Sequence, residues 1–252
     1  MNNVLEFRGV TVVRNGNKVL DNISFTIKEG EDIAVLGPNG SGKSTILGLI
    51  IRRFYPVSSA GSVFKVWGEE RWNIMELKNM LGIVSDDLLK DFDRDITVEE
   101  AVLSGFFGSI GLYNAVPDAR MKKKTAETFR FMGIKGLENR KMNTLSSGEF
   151  RLALIARALA HKPKALILDE PCSGLDMVAA AAFRKMLGSI AAAGTSIIIA
   201  THDLNDIIPE IKRVVMIKKG GIFMDGKRTD ILNDKNLSKL FGSKISFYGG
   251  KK

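Results

Sequence analysis

Apolar positions in the first thirty or so residues recur at every second place: Leu5 and Phe7, Val10 and Val12, then Ile23, Phe25 and Ile27. Successive side chains of a strand point to opposite faces, so this spacing predicts half-buried strands, reversed at the Asn15-Gly16 turn. The pattern then changes. IAVLG (Ile33–Gly37) is short and continuously apolar, as a strand covered on both faces is. ALILD (Ala165–Asp169), SIIIAT (Ser196–Thr201) and VVMI (Val214–Ile217) read the same way. Helical spacing separates these strands, beginning with STILGLIIRRF (Ser44–Phe54) after a glycine-rich turn, so the core is expected to be a mostly parallel α/β sheet. Between about 87 and 160 no buried strand is evident. Val98–Phe107 and Ala119–Met132 have helical periodicity, which places an inserted helical subdomain there. No internal repeat, low-complexity tract or flexible linker interrupts the chain.

Composition narrows the class. A chain of 252 residues with 45 % hydrophobic positions can bury a sizeable core, as one large domain or two intimately joined ones. Lys and Arg number 37 against 28 Asp and Glu, a formal charge of +9 that favours an anionic partner: nucleotide, nucleic acid or an acidic membrane surface. The one dense basic run, MKKK (Met121–Lys124), reads as a solvated helix face. Cys172 is the only cysteine, so no intrachain disulfide can form, and it reads as a small packing residue in a reducing compartment. The start, MNNVLEFRG, lacks the layout of a signal peptide. No apolar run approaches the ~18 residues of a membrane span, so any work at a membrane is expected from its side. The end, soon after Phe241, leaves no expectation of a long regulatory tail.

The chemistry concentrates at strand ends. GPNGSGKST (Gly37–Thr45) fits G-x-x-x-x-G-K-[ST] between a strand and a helix. Gly40 and Gly42 let the backbone turn its N–H groups toward phosphate oxygens, and the following helix start adds partial positive charge. Gly37, Asn39, Gly40, Ser41, Gly42, Lys43, Ser44 and Thr45 are the candidate contacts. Lys43 is expected at the β and γ phosphates, Ser44 on Mg²⁺ and Thr45 at the α phosphate. ALILDE ends a buried strand in two carboxylates: Asp169, placed to hold Mg²⁺, and Glu170, placed to orient and deprotonate the attacking water. SGLD (Ser173–Asp176) and THD (Thr201–Asp203) follow, and His202 is a candidate for the γ-phosphate and catalytic water. His161, before a proline turn, reads as a surface residue. No N-K-x-D stretch is present to read guanine, which argues against a GTPase.

GPNGSGKST, LSSGE (Leu145–Glu149), ALILDE, SGLD and THD, in this order, resemble the ATPase subunit of ATP-binding-cassette (ABC) proteins, over about residues 4–242. The resemblance implies an α/β fold: a RecA-like P-loop core with an antiparallel β subdomain and an inserted α-helical subdomain. The core and β subdomain would occupy 1–86 and 161–252, and the helical subdomain with the signature loop 87–160. It also implies two phosphate grips for one nucleotide. Subunits pair head to tail, with ATP between the P-loop of one and the signature loop of the other. Ser146 and Gly148 would then grip the γ-phosphate of the partner's ATP, and Asp176 would link the two sites across the interface. ATP and Mg²⁺ are the implied cofactors, and ATP hydrolysis coupled to transport the implied activity.

Two positions depart from the family pattern. Arg14 stands where an aromatic residue usually stacks on adenine; a guanidinium plane can stack on a base as well. Asp86, in LGIVSD, stands where the family has glutamine, and as a carboxylate it is assigned to Mg²⁺. TVEEAVLSGFFGSIGLY (Thr97–Tyr113) resembles the helical-subdomain entry of cassettes serving molybdate and iron-complex importers. The implied partners are a second copy or a homologous cassette, and a membrane permease that would hold this subunit on the cytoplasmic face of the membrane. The alternative is a stand-alone cassette acting on nucleic acid or the ribosome; such proteins usually carry two cassettes in one chain, so a single cassette favours the importer.

Overall fold

The structure, a computed structural model, describes residues 3–85, 88, 92 and 95–247. Two compact units divide the chain, Met1–Trp72 with Ile197–Lys252, and Asn73–Ser196.

In the first unit, strands β1 (Asn3–Arg14) and β2 (Asn17–Lys28) form an antiparallel hairpin, and β4 (Val63–Val66) pairs antiparallel on the other side of β1. The alternation read from the sequence is the buried face: Leu5, Phe7, Val10, Val12, Ile23, Phe25 and Ile27 are all within the core. Phe7 stacks on Phe25 at 4.5 Å and tilts against Phe64 at 4.8 Å, a cross-strand aromatic cluster that pins the register. The second sheet of this unit runs β7 (Ser196–Thr201), β3 (Ile33–Leu36), β8 (Arg213–Lys218), β9 (Gly221–Lys227), with β7, β3 and β8 parallel and β9 antiparallel at the edge. β3 is wholly buried, as its unbroken apolar run requires. Strands β4 and β9 lack an apolar pattern strong enough to stand out. For β9 the turn carries the signal: Lys219 and Gly220 both have positive φ, the two-residue hairpin conformation that a Lys-Gly-Gly stretch permits.

The first helix spans Lys43–Ile50 and ends four residues before the helical spacing does. Arg52 turns left-handed, and the N–H groups of Arg53 and Phe54 both return to Gly48 O. The Phe54 ring then fills the space over Gly48, where a Cβ would lie 2.4 Å from it. That packing ends the helix.

In the second unit, β5 (Leu81–Val84) lies parallel to β6 (Ala165–Asp169), among the helices Ile74–Met80, Val98–Ser104, Ala119–Met132, Ser147–Leu159 and Met177–Ala192. Thr97 and Glu100 close a capping box on the second of these, and Asp118 caps the third by accepting from Met121 N–H. Helix Ser147–Leu159 is buried along most of its length. Its Arg157 donates to Ser104 Oγ and Ser109 O, and burial lowers its pKa to about 10. Lys122 and Lys123 are exposed, as the solvated-face reading of MKKK has it, and Cys172 is buried, as a packing residue is. His161 corrects the sequence reading. Its ring nitrogens are shut off from solvent, and desolvation, reinforced by the charges of Arg157 and Lys124, pushes its pKa below the ordinary imidazole value. Lys162 and Lys164 beside it are exposed, whereas Pro163 is buried.

Candidate active site

The glycine-rich loop leaves the C-terminal end of β3, where open α/β sheets present ligands. Gly37 leaves no room for a side chain: a Cβ would lie 2.3 Å from Ile217 O and 2.7 Å from Ser41 Oγ. Gly42, the residue before the helix, has φ 111, and a Cβ there would meet Leu20 at 2.6 Å. Gly220 N–H donates to Ser41 O, and Asp21 N–H to Gly220 O, so the β8–β9 turn braces the loop against β2. Lys43 is buried and donates through Nζ to Gly37 O at 2.9 Å and Pro38 O at 3.3 Å. Thr45 is also buried, whereas the Ser44 side chain, in the first helical turn, is exposed. Lys218 and Lys219 line a cleft beside Pro38–Ser41, which adds positive charge where an anion would approach.

His202 follows β7 and comes close to the loop in the same unit, because Leu36 pairs with Thr201 and Gly37 N–H donates to Thr201 O. The turn carrying it is locked from beneath. Thr201 Oγ1 donates to the buried Asp206 at 2.8 Å and accepts from Asp203 N–H at 2.9 Å. The imidazole itself is exposed. Asp206 escapes a motif reading, and THD does not reveal that Thr201 binds it; the strand-turn geometry brings the two together. Arg14, at the end of β1, places its guanidinium 4.1 Å from the centre of the Phe54 ring. Arg14 is exposed, and a guanidinium can stack on an aromatic ring.

The remaining candidates lie in the second unit. Asp169 closes β6 and is half-buried. Glu170, next, is held at φ 47, a left-handed conformation that costs an L-residue about 1–2 kcal/mol. Its carbonyl and those of Pro171 and Ser173 accept from the buried Arg151 guanidinium. Arg151 lies two residues after LSSGE, and no motif quoted above assigns it a role; its burial near a helix start shows only in the structure. Asp86 lies outside the described residues; Val84, at the end of β5, pairs with Leu168.

Ser146 caps helix Ser147–Leu159 in a complete capping box. Its Oγ accepts from Glu149 N–H at 3.3 Å, while its own N–H and hydroxyl donate to Glu149 Oε2 at 2.8 and 3.0 Å. Arg140 donates to the other Glu149 oxygen at 2.9 Å. These bonds, the Ser146 backbone N–H first, hold the Glu149 carboxyl below its ordinary pKa. Gly148 approaches the next helix, with Ala179 Cβ 3.3 Å from where its own Cβ would stand. That helix begins with Asp176, which caps it by accepting from Val178 and Ala179 N–H at 2.9 and 2.8 Å. Met177 and Val178, directly after it, are 89 % and 80 % exposed.

Each unit by itself offers an oxygen donor of the kind that Mg²⁺ takes. A small hard dication takes a hydroxyl or one or two carboxylates from protein, with phosphates and water completing the octahedron. The exposed Ser44 hydroxyl and the Asp169 carboxylate are donors of that kind. Among the described residues no cluster of three or more His, Cys, Asp or Glu side chains forms a separate metal site.

The chain is similar to known proteins in sequence and in fold. A family model described as ABC transporter matches residues 20–173. The uncharacterized ABC transporter ATP-binding protein YlmA of Bacillus subtilis is 32 % identical over 250 residues, covering 96 % of this chain and 92 % of that protein. The zinc import ATP-binding protein ZnuC of Ruegeria sp. is 32 % identical over 241 residues, covering 95 % of this chain and 87 % of that one. Among solved structures, cbiO1 from Clostridium perfringens, part of the ABC transporter complex cbiONQ, superposes with a TM-score of 0.80 at 27 % identity, over 95 % of this chain and 94 % of that one.

Proposed function

This chain belongs to the ABC transporter family of ATP-binding, ATP-hydrolysing cassettes, and from that premise we propose that it is the energy-coupling subunit of an importer for a metal complex or oxyanion, working as a head-to-tail dimer. Gly37–Gly42 amides and Lys43 bind the phosphates; the Lys43 ammonium, resting on Gly37 O and Pro38 O, turns toward the β and γ oxygens as they arrive. Ser44 and Asp169, with Asp86 as a further carboxylate, would hold Mg²⁺, which would supply neutralising charge to the phosphates. Glu170 takes the proton of the attacking water, and His202 holds that water and the γ-phosphate in line. Arg14, backed by Phe54, stacks on adenine.

The observation that carries the dimer is the surface formed by Gly148 against Ala179. It presents two helix N-termini, Ser147 and Met177 onward, side by side with the exposed Met177 and Val178. Helix N-termini attract phosphate, and exposed apolar side chains at the same place favour burial by a second protein surface. ATP bound to the partner's loop satisfies both at once. Asp176 lies on this surface, placed to connect the two sites.

The importer reading is supported by ZnuC and cbiO1, both named for import or for a transporter complex. Among the described residues no helix is long and apolar enough to cross a membrane, so a separate permease would carry the cargo and hold this subunit at the cytoplasmic face. The exposed Tyr113 ends the Thr97–Tyr113 stretch, which would dock on that permease, and the exposed Val116 follows it. Affinity purification from native membranes tests it: a co-purifying integral membrane protein is expected, and ribosomes or nucleic acid in its place would favour a stand-alone cassette instead.

A further inference from the structure

Arg151 ties the start of the signature helix to the backbone that carries Glu170. Its Nη1 donates to Pro171 O at 2.8 Å and, more weakly, to Glu170 O at 3.5 Å, and its Nη2 donates to Ser173 O. The side chain is 9 % exposed. Carbonyls from three residues of one turn converge on a planar, five-donor fork, a match that the single ammonium of lysine does not reproduce. The grip falls where the backbone is least able to hold itself. Glu170 sits at φ 47 directly before a proline, whose ring restricts the preceding residue. Fixing the Glu170 and Pro171 carbonyls fixes the intervening peptide planes, and these set the direction of the Glu170 side chain.

The other end of the same rigid element is the signature loop. Arg151 lies within the first two turns of helix Ser147–Leu159, after Ser146 and Gly148. A short stretch of α-helix moves as a body, so a shift at its capped start carries Arg151 with it. We propose that Arg151 is a positioning residue. It holds residues 170–173 in the conformation that aims the Glu170 carboxylate at the attacking water, and it relays engagement of Ser146 and Gly148 by the partner's nucleotide to the base of its own chain. The inference rests on the roles given to Glu170, Ser146 and Gly148 under the proposed function.

The test uses the full chain with Arg151→Met, Arg151→Lys and, beside them, Glu170→Gln. Each is assayed for thermal unfolding, ATP affinity at protein concentrations below dimerisation, and kcat with its dependence on ATP concentration. Arg151→Met is expected to lower kcat on the order of 10²-fold, the cost of a base misplaced by about 1 Å. ATP affinity of the isolated subunit should stay within about twofold, since uniform nucleotide binding is untouched. Arg151→Lys should recover kcat only in part, and in both variants the cooperativity of hydrolysis with ATP should fall. A merely structural arginine would lower the unfolding temperature and leave kcat per folded molecule unchanged, and that result overturns the proposal. If Arg151→Met does not fold, Arg151→Lys decides: wild-type kcat and cooperativity in a folded lysine variant overturn it equally. Glu170→Gln separates the two layers. Retained hydrolysis there removes the base assignment, and this inference with it, whereas an inactive Glu170→Gln beside a fully active Arg151→Met refutes this inference and leaves the base assignment standing.

Discussion

The hydroxyl of Ser146 donates to Glu149 Oε2 at 3.0 Å while accepting the Glu149 N–H at 3.3 Å. In the single chain, then, the side chain assigned to the partner's γ-phosphate is already committed to capping its own helix. Gripping phosphate requires that pairing to loosen or to share, and loss of the cap and loss of the grip are two different effects of one mutation.

Ser146→Ala should therefore cost about 1 kcal/mol of stability as well as activity. Ser146→Asn separates the two, because asparagine caps a helix as well as serine does. The asparagine variant should unfold at nearly the wild-type temperature yet lose most ATP hydrolysis, its longer side chain occupying the phosphate position. Wild-type turnover in folded Ser146→Asn would remove Ser146 from the site.

Glu149 has a pH signature. Its folded pKa lies below the ordinary value, so the carboxylate contributes stability that is complete above about pH 4.3 and is lost as pH falls through the folded value. The wild-type protein should exceed Glu149→Gln in urea midpoint at neutral pH, with the gap closing toward about pH 3. A gap independent of pH would show that charge at Glu149 contributes nothing.

His161 titrates with the opposite chemistry but the same slope. Burial depresses its pKa, so the unfolded chain binds more protons than the folded one below about pH 6.5. Stability is complete above that value and falls as pH drops toward the depressed folded pKa. His161→Leu should flatten this part of the profile, read as denaturant midpoints between about pH 7.5 and 5. An unchanged slope in the variant would place the titration elsewhere.

Glu170→Gln should reduce hydrolysis by at least about 10²-fold, the usual contribution of a positioned base. With both phosphate grips intact, it should accumulate as an ATP-bound dimer, visible as a doubled mass in light scattering. Strictly monomeric elution in saturating ATP would count against the head-to-tail sandwich.

Arg14→Ala should weaken ATP binding several-fold, in keeping with about 1 kcal/mol for a stacked guanidinium, while tripolyphosphate affinity stays the same. Phe54→Leu should reproduce part of the loss by removing the ring under Arg14. Equal losses for ATP and tripolyphosphate would mean that Arg14 acts through charge and reads no base.

The local pattern of the chain was enough to place β1, β2, β3, β6, β7 and β8, because period-two alternation and unbroken apolar runs follow directly from which faces of a strand are buried. The phosphate loop was equally legible: a motif with glycines at fixed offsets describes a backbone path, and Gly37 and Gly42 occupy positions with no space for a Cβ. Less was visible where side-chain packing decides. The first helix stops at Ile50 because Phe54 packs back on Gly48. The ring nitrogens of His161 are shut off from solvent although Lys162, next to it, is exposed. Ser146 and Glu149 follow a Ser-x-x-Glu spacing that any reader could have taken for a capping box, yet the resemblance to a signature loop drew attention to phosphate alone.

By itself the amino-acid sequence determined the α/β class, the nucleotide-binding loop and the order of the acidic and histidine motifs, since each is written in residues a few places apart. Only the tertiary structure decided that Arg14 rests on Phe54, that Thr201 and Asp206 brace the turn before His202, and that Arg151 holds the carbonyls around Glu170. The reason is physical: these contacts join residues whose chain separation says nothing of their distance, and packing alone brings them within reach.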